Sequence, residues 1–100
     1  MRLSPEFNWR KYKSDFLNHN HCTVDEFEAD YIVFMATNPD TTAYRRFARK
    51  YGITIHTDPN IPIDGQVLLS VNIAAIKVMA ETYEESIAAI NDILNVQRKQ

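Results

Sequence analysis

The chain has almost none of the residues from which compact functional loops are built. In 100 residues there are two glycines, four prolines and one cysteine. The single thiol, Cys22, excludes an internal disulfide and with it a disulfide-stapled secreted scaffold. With only Gly52 and Gly65 available, a phosphate-cradling loop is hard to build, and no dinucleotide fingerprint, P-loop or H-E-x-x-H metal motif occurs. Long linkers and low-complexity tails are missing too, as is any internal repeat. The longest strongly apolar run, from Val67 to Ala80, is interrupted by Ser70, Asn72 and Lys77 and is too short to span a bilayer. The opening Met1-Arg2-Leu3-Ser4-Pro5-Glu6 lacks the apolar core of a signal peptide. These absences predict a cytoplasmic protein that makes no use of the membrane.

What is present is ordinary for one globular domain: 45% apolar and 24% charged residues. A chain of this length buries roughly 60–65% of its unfolded surface and sustains one core. Residues 1–100 are therefore expected to form a single domain. Net charge is only −2, yet it is segregated: +2 over residues 1–24, −5 over 25–43, +4 over 44–51 and −5 over 52–97. Such blocks predict patches on a folded surface.

The most informative block is Tyr44-Arg45-Arg46-Phe47-Ala48-Arg49-Lys50-Tyr51. Tyr44, Phe47, Ala48 and Tyr51 recur at i, i+3, i+4 and i+7, one stripe of a helix. Arg45, Arg46, Arg49 and Lys50 share the opposite face with no acid among them. Asn38-Pro39-Asp40 reads as the start of this helix and Gly52 as its end.

Around it, Ser4-Pro5-Glu6 starts a helix over about residues 5–18, whose Trp9, Tyr12 and Phe16 form an apolar stripe. Phe27–Thr37, with its continuous Tyr31-Ile32-Val33-Phe34-Met35 run, reads as a strand, its acidic entrance placing it at a sheet edge. Ile53–Thr57 alternates branched residues and reads as a second strand. Asp64-Gly65 reads as a turn. Residues 66–80 fit either a strand or a helix, and five β-branched residues between 67 and 78 favour strand. Thr82-Tyr83-Glu84-Glu85 matches a capping box opening a last helix, with Tyr83, Ile87, Ile90 and Leu94 inward and Arg98 and Lys99 complementing its C-terminal dipole. The expected fold is thus α+β: a mostly antiparallel sheet of three to four strands, two helices on one face, and an N-terminal helix, in a split β-α-β manner.

Candidate chemistry is sparse. His19, His21 and Cys22 supply three soft donors but no second pair at zinc spacing, so a polar loop is expected and no metal. Cys22 beside a histidine lacks the oxyanion-type turn of a cysteine nucleophile. Glu84/Glu85 and Asp25/Glu26/Glu28 read as a helix start and a solvated edge. No enzyme and no cofactor is expected. Partner-binding residues are assigned to the basic face, Arg45, Arg46, Arg49 and Lys50, and to the aromatic Trp9 and Tyr12 of an N-terminal docking helix. The expected function is a small non-enzymatic protein-interaction module, an inhibitor, adaptor or regulatory protein whose charged patches engage a protein partner. The alternative is nucleic-acid binding through the 44–51 helix with help from Arg10, Lys11 and Lys13, which the acidic overall balance opposes. A homodimer through the aromatic N-terminal helix or an edge strand is also expected.

Overall fold

Side-chain caps divide this chain more decisively than its hydrophobic runs do. In the computed structural model, which describes residues 3–98, five helices follow one another: α1 (Pro5–His19), α2 (Val24–Ala36), α3 (Thr41–Tyr51), α4 (Ile63–Met79) and α5 (Tyr83–Arg98). Ser4 accepts the Phe7 N–H to open α1, with Pro5 in the first turn where its missing N–H costs nothing. Thr23 and Glu26 exchange side-chain and backbone hydrogen bonds in a reciprocal capping box at the start of α2. Asp40 accepts the Ala43 N–H to open α3, and Gly52 ends it at φ 70°, a left-handed conformation that a β-carbon disfavours. Thr82 accepts the Glu85 N–H at the start of α5, while the Glu85 carboxylate takes the Glu81 N–H.

The expected α+β sheet is therefore overturned: the fold is 74% helical, and no strand occurs among the described residues. The segment read as a strand over 27–37 is α2. An uninterrupted apolar run carries no period of its own, and here the capping box upstream decides its conformation. The ambiguous 66–80 stretch is α4, whose β-branched residues are held helical by burial on several sides, against a weak intrinsic preference. Gly65 falls in the first turn of α4 and forms no hairpin turn. Ile53–Thr57 is neither helix nor strand, with Ile53 buried and Ile55 half-buried, and it joins no strand ladder. Alternation shows which side faces inward; a strand also needs a ladder partner.

The core is built on α4, which packs against each of the other four helices. Val67, Val71, Ala75 and Val78 are fully enclosed there, and Ala74 nearly so. Over this helix lies an aromatic layer centred on Phe27, itself wholly buried. Phe27 meets Phe16 of α1 at 5.1 Å and Tyr51 of α3 at 4.9 Å between ring centroids, both edge-on, the arrangement that ring quadrupoles favour. Phe34 stacks on Phe47 at 4.4 Å and meets Tyr44 edge-on at 4.9 Å. Tyr44, Phe47, Ala48 and Tyr51 thus all face inward, as their spacing predicts.

The last helix is rotated by about one residue from expectation. Ser86 is buried and Ile90 and Leu94 are half-buried, whereas Ile87 is 39% exposed. The side chains of Arg98 and Lys99 lie outside the described residues.

Candidate interaction surface

α2 and α3 form a helical hairpin across the connection 37–40, and their outer faces make a continuous strip of surface. Asp30 of α2 fastens the pair: its Oδ2 accepts from Lys50 Nζ at 2.8 Å and from the Tyr51 hydroxyl. The hydrogen bond from Lys50, then that from Tyr51, holds the Asp30 carboxyl below its usual range. Burial, then the Asp30 hydrogen bond, pushes the Tyr51 phenol well above its usual value. Lys50 is thereby paired while its side chain stays 62% exposed, and its ammonium also lies 5.3 Å from the Tyr51 ring centroid.

The rest of the expected basic face remains outward. Arg45, Arg46 and Arg49 are exposed, and none has an ion-pair partner among the described residues. The cations of α1 are engaged. Arg10 pairs with Glu6 at 2.9 Å, Lys11 pairs with Asp15 at 2.6 Å, and Lys13 donates to the Ala80 carbonyl at 2.7 Å.

Trp9 and Tyr12 do not join this surface. Trp9 is only 8% exposed, and its Nε1–H donates to the Lys77 carbonyl at 2.9 Å. Tyr12 is half-buried, with the Lys77 ammonium 4.9 Å from its ring centroid. Trp9 and Tyr12 are thus spent on α4 and α5, where Trp9 also meets Tyr83 at 6.2 Å, while Phe16 packs on Phe27 and Tyr51. What the outer strip holds in their place is apolar: Ile32 is 58% and Val33 64% exposed, between the exposed Ala29 and Ala36. The sequence did not single them out because an edge strand over Phe27–Thr37 accounted for the whole run. Their i, i+3, i+4, i+7 spacing was the available signal.

A second feature went unseen because its parts are far apart in sequence. A cleft of about 640 Å³ between α1 and α4 brings His19 near His56, with Lys77 on its rim and Phe16 and Tyr51 in its wall. Its volume suits a small ligand. Yet its more enclosed polar groups are already used: Ser70 Oγ accepts the His56 N–H at 3.0 Å, and the Asn20 amide donates to the Phe16 and Tyr51 carbonyls. No buried side-chain polar atom among the described residues is left without a partner.

His19, His21 and Cys22 end α1 without converging, and no group of three metal-donating side chains forms among the described residues. Burial, then the Glu26 charge, raises the Cys22 thiol, which disfavours the reactive thiolate. No helix among the described residues is long and apolar enough to cross a membrane. Comparison with protein-family models, with curated proteins and with solved structures found no match.

Proposed function

We propose that this protein is a small non-enzymatic protein-interaction module whose α3 face engages an acidic patch on a protein partner. The observation that supports this is selective engagement of its cations. Those of α1, together with Lys50, are tied to acceptors within the fold, while Arg45, Arg46 and Arg49 leave one helix face with no acid opposite them. Guanidinium forks at this spacing suit bidentate contact with surface carboxylates. Nucleic acid is the less favoured partner. Three arginines on a chain of net charge −2 make a small footprint for phosphate, where domains that bind nucleic acid are strongly basic.

Affinity capture from cells expressing the chain tests the reading. Wild type is expected to retain a stoichiometric protein partner at low salt and resist nuclease treatment. The double variant Arg45→Glu/Arg49→Glu is expected to lose that partner while keeping its circular dichroism spectrum. Equal capture by the variant would reduce the patch to a solvated face. Nuclease-sensitive capture would transfer the face to nucleic acid.

A further inference from the structure

The cleft of about 640 Å³ between α1 and α4 is walled by aromatic rings and rimmed by nitrogen. Tyr12 stacks on Phe16 at 6.3 Å and Phe16 on Tyr51 at 5.8 Å between centroids, so three rings run along one side. Its rim brings together His19 from the end of α1, His56 from the connection after α3, and Lys77 from the last turn of α4. We propose that this cleft binds a small organic anion, a carboxylate carried on a ring. The ring lies against the aromatic wall, and the carboxylate is held by Lys77 and the two imidazoles. This goes beyond the functional reading above, because it uses none of Arg45, Arg46 and Arg49 and takes a small molecule in place of a protein.

Lys77 sets the sign of the ligand. It is half-buried, yet it has no ion-pair partner among the described residues, and its ammonium rests 4.9 Å from the Tyr12 ring centroid. A cation drawn partly out of water with no acid beside it favours an anionic guest. The acid on the cleft wall, Asp15, is already neutralised by Lys11 at 2.6 Å. The Phe16 and Tyr51 carbonyls beside the cleft are taken by the Asn20 amide, so these acceptors are not left to repel a carboxylate.

The imidazoles complete the recognition. Each offers an N–H to a carboxylate whether or not its ring is charged. Both residues are placed by the fold. The His19 ring lies beside Gly52, where an added β-carbon would come 3.5 Å from its Nε2, and the His56 N–H donates to Ser70 Oγ at 3.0 Å, tying that connection to α4. A metal ion is not the guest these donors suit, since no group of three metal-donating side chains forms among the described residues. One fixed cation with two imidazoles matches a single carboxylate. A phosphate dianion calls for a nest of backbone N–H groups.

Titration of isotope-labelled protein with benzoate, followed by amide chemical shifts, is the test. Benzoate is expected to shift His19, Gly52, Thr54 and His56 saturably, in the millimolar range of so small a probe. Acetate, which lacks the ring, and benzamide, which lacks the charge, should each bind about tenfold more weakly or worse. Lys77→Met, which keeps an unbranched stem over Tyr12, should weaken benzoate about tenfold with little change in melting temperature. His56→Gln, at an exposed position, should also weaken it and keeps the test open if Lys77→Met fails to fold. The Arg45→Glu/Arg49→Glu variant should bind benzoate as wild type does, so this proposal and the functional reading fail separately. Absence of a saturable shift at the cleft overturns the proposal, as do shifts confined to Arg45, Arg46 and Arg49. Equal binding of benzamide, or tighter binding of the trimethylphenylammonium cation, overturns the assigned charge.

Discussion

Among single residues, Asp30 supplies the ion pair between α2 and α3, and its protonation tests that contact directly. Hydrogen bonds from Lys50 and Tyr51 favour its charged form and hold its carboxyl below the ordinary value of 3.8. A carboxyl depressed in the folded state stabilises the fold above its unfolded pKa, and that contribution is lost as pH falls through the folded value. Asp30→Asn is thus expected to lower the melting temperature at pH 7, with the gap from wild type closing as pH drops below about 4. Equal melting at pH 7 would mean that this partly exposed pair contributes nothing measurable, as many surface pairs do. The alkaline limb is set by phenols. Burial, with a smaller effect from Tyr44, pushes Tyr31 up to about 12, and its hydroxyl donates to Asn72 Oδ1 at 2.7 Å. Tyr12 is raised by burial, and Tyr51 by burial and then Asp30. Unfolded phenols ionise near 10, so the stability these groups supply is complete below about pH 10 and falls as pH rises towards the folded values. The denaturation midpoint should therefore drop above about pH 10, and Tyr31→Phe should flatten part of that drop. A midpoint constant to pH 11 would contradict the burial of these rings.

At the level of helices, the caps decide the outcome. Removing the hydroxyl of the α2 capping box with Thr23→Ala should cost about 1 kcal/mol in chemical denaturation. A change below a few tenths would show that tertiary contacts alone fix the start of α2. Gly52→Ala should cost roughly 1–2 kcal/mol through its left-handed φ alone. Space is not the obstacle there, since an added β-carbon would sit 3.5 Å from the nearest His19 side-chain atom. The α1 and α3 boundaries were legible in sequence because Ser4-Pro5, Asp40 and Gly52 carry strong local signals and the apolar spacing between them is helical. α2 was misread because its last two turns are apolar on both the inward and the exposed face, and α4 because it is buried on several sides, so that in each the 3.6-residue period is blurred. Thr23-x-x-Glu26 was a capping box in plain view, yet the acids after it were read as a strand entrance. α5 was correctly placed but rotated, since Ser86 offers no hydrophobic signal for the buried position it occupies at 1% exposure. Of the candidate surface, the arginines were legible from one local stretch. The roles of Trp9 and Lys50 depend on contacts across the fold and were not.

For the molecule as a whole, the arrangement around α4 predicts the order in which parts of the structure open. α5 leans on α4 and α1, and α1 is held by Trp9 and Lys13 to the end of α4 and to Ala80 just beyond it. Either can detach while the remaining helices still cover Val67, Val71 and Ala75, whereas α4 loses its cover only when several neighbours leave together. Local openings cost less than global unfolding when few buried apolar contacts are broken. Backbone hydrogen exchange should therefore be slowest in the middle of α4, at rates set by global unfolding. Exchange should be faster along α5, and fastest in the non-helical stretch 54–60 apart from His56, whose N–H is held by Ser70 Oγ. Phe27 supplies the matching mutational probe, because its ring joins α1, α2 and α3 in one layer over α4. Phe27→Ala should cost roughly 3–5 kcal/mol and raise exchange in α4 together with that in α1, α2 and α3. Val33→Ala, at an exposed position on the other side of the same helix, should change stability by less than about 0.5 kcal/mol. Exchange in α5 as slow as in α4, or a loss from Phe27→Ala confined to α2, would mean that the helices are stabilised pair by pair and that α4 is not the element on which the others depend.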